Sequence, residues 1–224
     1  MFNLPYAFWS NKSLLNGLIA YWTFEDNSNL GKDSLNIYDL ATNGTVTQST
    51  GKVSNGIAIS NTASYIGSSS SSNFHINGDK TFCGWFKWSD NSHQNVLISK
   101  FAGASIDYLI FKVSLDNIRF RLDTNVTSYN LTSTTSVSIN TWYFVACWVN
   151  FSTSKMYIQI NNGTIDEVTY SGTPKTVNSF SIHDSATSTT NCNIDEVGVW
   201  SRILTTSELT SLYNSGNGKT YPFI

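Results

Sequence analysis

Charge is what this chain has least of. Only 12% of its 224 residues are Asp, Glu, Lys or Arg, and the formal net charge is −2. There is no basic field to draw nucleic acid or an anionic bilayer, and no Lys/Arg cluster interleaved with aromatics, so nucleic acid is not an expected partner. Cysteine is scarce as well. Cys83, Cys147 and Cys192 are odd in number and widely spaced, without a CxxC pair or a zinc spacing. They are expected to be reduced thiols that pack as small core residues. No apolar run approaches the roughly 20 residues of a membrane-spanning helix, so membrane insertion is not expected. The opening MFNLPYAFWS is broken by Asn3, Pro5 and Ser10 and lacks the basic start and unbroken apolar core of a secretory signal.

Acid–base residues are few. Glutamate occurs at Glu25, Glu167, Glu196 and Glu208, and histidine at His75, His93 and His183. Hydrolysis of a glycosidic bond needs two carboxylates flanking it, one protonated and one ionised. None of the four glutamates has an acidic partner at i+2 or i+3 on one strand. Asp195 and Glu196 are adjacent, and on a regular strand adjacent side chains project to opposite faces. The histidines fall in or beside polar stretches with no nucleophile context. The expectation is a non-enzymatic protein.

Aromatic residues, by contrast, reach 14%, and Ser, Thr and Asn dominate the polar positions. The length suits one all-β domain, since such sandwiches run to about 200–250 residues. Residues 1–16 read as an arm carrying Phe2, Tyr6, Phe8 and Trp9, either packed back on its own domain or docked on another subunit; residues 17–224 read as the domain. Leu18–Phe24 alternates with Leu18, Ala20, Trp22 and Phe24 inward. Lys80–Trp88 is apolar on both faces, as a strand covered on both sides must be. Asn95–Lys100, Tyr108–Val113 and Asn117–Leu122 follow, and Thr141–Asn150 is the longest strand. Lys155–Ile160 pairs with it, ahead of the tight-turn signal Asn161-Asn162-Gly163. About a dozen strands at regular spacing suit a double-sheet antiparallel roll.

The closing stretch Asn193–Gly216 organises the rest. Its strand, Asn193–Trp200, is read with Ile194, Glu196, Gly198 and Trp200 on one side and Asp195, Val197 and Val199 on the other. Thr205 and Glu208 form a capping box, Leu204 and Leu209 a hydrophobic staple, and Gly216 the residue at positive φ that ends the helix. Leu209, Leu212 and Tyr213 make the apolar stripe. Trp22, Trp148 and Trp200 are expected to meet in one interior.

Four stretches carry a resemblance in order and spacing: GLIAYWTFE (Gly17–Glu25), GKVSNGIAIS (Gly51–Ser60), NTWYFVACWVN (Asn140–Asn150) and IDEVGVWSRILTTSELTSLYNSG from Ile194. Together they resemble the laminin-G-like jelly rolls of the concanavalin A-like lectin/glucanase superfamily. The resemblance implies an all-β, antiparallel two-sheet jelly-roll sandwich with one short C-terminal helix. Many such domains hold a structural calcium ion (Ca2+). The matching residues here are Asp33 and Asp195, with Glu25 or Asp26 as helpers, although Leu35 replaces the usual glycine after Asp33-Ser34. A reading without an ion has Asp33 capping a turn and Asp195 bonded to backbone N–H groups.

Sugar rings stack their C–H faces on aromatic planes, and loop amides and hydroxyls bond their oxygens. The loop residues suited to this are Tyr38, Tyr129, Tyr170, His93 and His183. The partner expected is therefore a glycan or cell-surface polysaccharide. Family members without an export signal resemble accessory proteins of tailed-phage virions. That implies display on a virion surface, or on another extracellular surface or in the producing cell before release, with the arm contacting other assembly subunits. The alternatives are a decoration or cement protein of a phage particle that binds no sugar and, more remotely, a degenerate polysaccharide-cleaving enzyme.

Overall fold

Segments that alternate apolar and polar residues bury one face against a partner layer, and among the described residues fifteen strands form two stacked antiparallel sheets. The computed structural model describes residues 13–60, 64–68, 72–89, 95–102, 105–112, 116–183 and 191–224, with 101, 102 and 112 as backbone only. The proposed arm residues Phe2, Tyr6, Phe8 and Trp9, and His93, lie outside the described residues.

The first sheet runs β13 (Ile165–Thr169), β12 (Lys155–Ile160), β11 (Tyr143–Asn150), β6 (Lys80–Trp88), β15 (Cys192–Trp200), β4 (Asn55–Ile59) and β3 (Val46–Thr50). The eighth strand, β1 (Leu18–Trp22), lies along the second half of β15, where β4 has ended. The second sheet runs β10 (Ser128–Ser136), β9 (Asn117–Asp123), β8 (Ser105–Lys112), β7 (Asn95–Ala102), β14 (Phe180–Ile182), β5 (Tyr65–Ser68) and β2 (Ala41–Asn43). The closing strand is thus the hub of the first sheet, with β6 along one side and β4 then β1 along the other.

Three apolar layers result. Between the sheets lie Trp22, Phe82, Phe86, Phe120, Phe180 and Val199 among many others. Outside the first sheet a second cluster gathers Tyr21, Trp85, Phe144 and Trp200 beneath Leu14, Leu204, Leu209, Leu212 and Phe223. The third is a small patch of Val96 and Phe111. The expected meeting of three tryptophans is therefore corrected. Trp22 belongs to the inter-sheet core, whereas Trp148 and Trp200 are buried on the outer face.

For Trp200 the cause is a bulge in β15. Asp195 pairs with Trp85 and Gly198 with Cys83, so two residues stand where one would fit, and Glu196 takes φ +51. Ile194, Val197 and Val199 face the core, and the phase of everything after Glu196 shifts by one from strict alternation. A smaller irregularity in β1 between Leu18 and Ala20 likewise sends Leu18 to the outer cluster while Ala20, Trp22 and Phe24 stay inside.

The helix α1 (Thr206–Tyr213) has its capping box: the Glu208 N–H donates to the Thr205 hydroxyl and the Thr205 N–H to the Glu208 carboxylate. It ends on Asn214 at φ 48, two residues before the expected Gly216; asparagine tolerates the left-handed conformation nearly as well. Arg202 forks onto Glu208 at 2.7 and 2.6 Å and also donates to the carbonyls of Asn16 and Ser13, binding the helix start to the first described residues. Burial pushes the Glu208 carboxyl up, but the hydrogen bonds from Arg202 and the cap hold it down to about 2. All three cysteines are free and buried. Among the described residues no helix is long and apolar enough to cross a membrane.

Candidate functional site

The loop after β1 contains Asp33, which is fully buried and accepts four backbone N–H bonds. Tyr21 and Leu35 donate to Oδ1 at 3.0 and 3.2 Å, and Ile37 and Tyr38 donate to Oδ2 at 3.1 and 2.9 Å. One carboxylate thereby ties the loop to the sheet and fixes where Ile37 and Tyr38 emerge.

Tyr38 is the outermost ring of an aromatic series that runs inward. Its ring meets Phe74 edge-on with centroids 5.1 Å apart; Phe74 stacks on Phe180 at 4.3 Å, and Phe180 on Trp22 at 5.6 Å. The Trp22 indole N–H donates to the Tyr38 carbonyl at 3.1 Å, and the Asn73 amide to the Tyr38 hydroxyl. A half-buried ring held at its backbone, edge and hydroxyl is pre-organised.

Tyr38 lines a cleft of about 460 Å³ at the rim of the sandwich where β1 and β6 begin and β15 has just ended. Ile37, Ser72, Asn73, Asn77, Lys80 and Ser201 share the lining, with Leu18 and Ile19. The side chains of Ser72, Asn73 and Asn77 are exposed. A second cleft of about 390 Å³, lined by Asp39, Ala41, Tyr65, Gly67, Ser68 and Ser179, adjoins the same loop as it enters β2. An aromatic plane beside amides and hydroxyls can accept the apolar face of a sugar and bond its oxygens.

Behind the first cleft sits a buried set of charges. The Lys80 ammonium donates to the Asn73 carbonyl at 3.1 Å, and burial lowers its pKa. Asp107 lies 3.0 Å from His75 Nδ1, with its other oxygen unbonded, and burial raises its carboxyl to about 8 against the pull of Lys100 and Lys80. Burial also lowers Lys100 to about 8, and its ammonium donates to the Val177 carbonyl. His75 is lowered by burial and then by the two lysines, so its imidazole is neutral at pH 7.

Among the described residues proposed as glycan contacts, Tyr129, Tyr170 and His183 do not join this cleft. Tyr170 is buried in the core and packs against Tyr129, whose hydroxyl is 2.6 Å from Ser171 Oγ. His183 is 0% exposed rather than part of a polar loop, because it follows directly on the buried strand β14. Burial drops its imidazole to about 4. Of the residues proposed, Tyr38 is at the cleft. Lys80, Asn73 and Asn77 were missed. The signal available for them was a polar Ser/Asn-rich loop ending in a lone lysine at the start of an otherwise apolar strand.

The residues proposed for calcium do not fit an ion as a set. The Asp33 oxygens are taken by four backbone donors. Glu25 bonds the main chain and side chain of Asn55, and Asp26 bonds Ser28. Asp195 Oδ2 accepts from Lys52 and Val53 N–H, both at 2.8 Å. Among the described residues no three His, Cys, Asp or Glu side chains converge as metal ligands.

Asp195 and Glu196 require a correction of their own. The bulge turns both away from the inter-sheet core, and Tyr21 of the outer cluster feels both. Asp195 Oδ1 and both Glu196 oxygens are buried, with only the Tyr21 and Thr220 hydroxyls near Glu196 to offset it. Burial raises both carboxyls to about 8, and Asp195 adds to the rise at Glu196. Protonation at neutral pH spares the pair the cost of two unpaired buried charges. At 0% and 1% exposure they cannot flank a saccharide bond.

Two antiparallel sheets in jelly-roll order, closed by a central last strand and open to solvent in a rim cleft, define a lectin-like domain. Residues 60–210 match the laminin-G-like family model described as concanavalin A-like lectin/glucanases superfamily, and the chain belongs to that family. No curated protein sequence matches it. Among solved structures it is similar to the receptor-binding domain of botulinum neurotoxin type G (TM-score 0.68, 15% identity, covering 88% of this chain and 51% of that one). It is also similar to the binding domain of Paraclostridial Mosquitocidal Protein 1 (0.71, 18%, 91% and 53%). A third similar structure is the binding domain of botulinum neurotoxin DC in complex with SialylT (0.69, 15%, 89% and 52%). The chain spans about half the length of these structures, and the likeness is one of fold.

Proposed function

We propose that this domain is a non-catalytic carbohydrate-recognition module, with the rim cleft at Tyr38 as its binding site. The observation that carries the reading is the pre-organised Tyr38 ring facing a cleft with Ser72, Asn73 and Asn77. Support comes from the family, and from a similar structure whose title names a bound SialylT. The same proposal places the domain on the exposed surface of a virion or comparable assembly. What supports that part is compositional: few charges and many short polar side chains.

The test is a glycan array followed by calorimetry on the wild type and on Tyr38→Ala. Binding of at least one saccharide by the wild type, lost in Tyr38→Ala with unfolding temperature maintained, is the expected result. A blank array, or a bound glycan indifferent to Tyr38→Ala, overturns the assignment.

A further inference from the structure

Among the described residues that line the Tyr38 cleft there is no acidic side chain. Its charged member is Lys80, and the remainder is Leu18, Ile19, Ile37, Tyr38 and Ser, Asn side chains. The nearby carboxylates are engaged elsewhere. Asp39 lines the neighbouring cleft and pairs with Lys32 at 3.1 Å, and Asp79 accepts the Phe151 N–H at 2.9 Å.

A lysine ammonium has three N–H donors. That of Lys80 uses one, on the Asn73 carbonyl, and among the described residues it forms no ion pair within 4.0 Å. Holding a cation at 4% exposure with donors left over is costly, and one carboxylate in the opening would relieve it.

The charges behind the cleft reinforce this. Among the described residues, the carboxylate that Lys80 and Lys100 both act on is Asp107, which lies 3.0 Å from His75. With Asp107 ionised the group carries one excess positive charge, and with Asp107 protonated it carries two. In either state the cations of this set outnumber its carboxylates, in a molecule whose formal net charge is −2.

We propose that the cleft selects acidic saccharides, the sugar ring lying against Tyr38 and its carboxylate meeting the Lys80 ammonium, with Asn73 and Asn77 bonding ring hydroxyls. This rests on the carbohydrate-recognition reading of the same cleft and narrows it to sugars that carry a carboxylate. A charge-assisted hydrogen bond in a partly desolvated site favours the acidic sugar over its neutral counterpart by about tenfold or more.

The experiment is calorimetric titration with two matched pairs: 3′-sialyllactose against lactose, and trigalacturonate against galactotriose. Tighter binding of the acidic member by about tenfold is expected, in a pair-dependent measure. Lys80→Gln should abolish the difference between the acidic and the neutral member, and Lys80→Arg should preserve the preference. If Lys80→Gln does not fold, wild-type salt dependence decides. Raising salt from about 50 to about 500 mM should weaken the acidic member selectively. Equal affinity within both pairs, insensitive to salt, overturns the selectivity and leaves carbohydrate recognition standing. If no saccharide shows Tyr38-dependent binding, the recognition reading fails, and the selectivity with it.

Discussion

Replacing Asp33 by Asn tests the loop on which the cleft depends. The side chains are nearly the same size, so packing is preserved and the change is confined to hydrogen bonding. Two backbone donors converge on each carboxylate oxygen. An amide keeps one oxygen and puts an NH2 group in place of the other. Two backbone N–H groups then lose their acceptor and face a donor, whichever way the amide turns. A buried donor left without an acceptor costs about 1–3 kcal/mol, so the pair amounts to roughly 2–6 kcal/mol. In a domain of this size 1 kcal/mol moves the unfolding temperature by about 2–4 °C, and we expect a fall of about 10 °C. Thermal unfolding followed by circular dichroism measures it, and saccharide titration on the surviving folded protein should show weakened binding through Tyr38. Repeating the wild-type scan with a chelator should leave its transition in place. A Tm within about 2 °C of wild type would refute the account of Asp33 as the anchor of this loop. A chelator-dependent loss of stability would refute the account of its oxygens as fully occupied by backbone.

Two further outcomes follow from buried carboxyls whose environments act in opposite directions. Glu196 titrates near 8 in the folded chain and near 4.3 when unfolded, so the folded state holds the extra proton between those values. Its contribution is therefore complete below about pH 4 and lost as pH rises through about 8. The wild type should melt at a lower temperature at pH 9 than at pH 6, and Glu196→Gln, which mimics the protonated form, should flatten that slope; an unchanged slope in the variant would contradict it. Glu208, held down to about 2, behaves in reverse: its stabilisation is present above about pH 4.3 and disappears as pH falls through 2. Glu208→Gln weakens the fork to Arg202 and the helix cap together, for a cost of roughly 2–3 kcal/mol in denaturant titration, less than a fully buried pair because Arg202 is partly exposed. No measurable change would mean the pair is solvated.

Much of the scaffold was legible because period and capping are local. The Thr205–Glu208 box, the Leu204–Leu209 staple and the Asn161-Asn162-Gly163 turn are short-range chemistry, and each is found where the residues place it. Strands β6, β11 and β12 announced themselves through apolar runs and alternation. Strand β10, SYNLTSTTS, was missed because it is mostly hydroxyl-bearing and exposed, so its pairing with β9 leaves little hydrophobic trace. The bulge at Glu196 was not legible. An extra residue in a ladder is defined by what stands opposite, and here β4 gives way to β1 beside it. That one residue changed which face Trp200 occupies and brought two acids to the same side. Tyr38 could be read from the sequence as a loop aromatic. Its companions in the cleft come from three separate segments, and only the tertiary fold brings Asn73, Asn77, Lys80 and Ser201 to it.

The Trp200 indole donates to the Leu14 carbonyl across 186 residues of sequence, and the Tyr21 hydroxyl to the Lys219 carbonyl across 198. Contacts of such separation cannot form until β15 and the residues around Lys219 are free to dock. Until then β6 has no partner on one flank, and the outer face around Trp85 and Phe144 is without its lid. Loop closure over that distance makes for slow folding, in the millisecond-to-second range or beyond for sheets of this topology. The state most exposed to aggregation is therefore the one in which β6 and the outer face wait for β15 and α1 to dock.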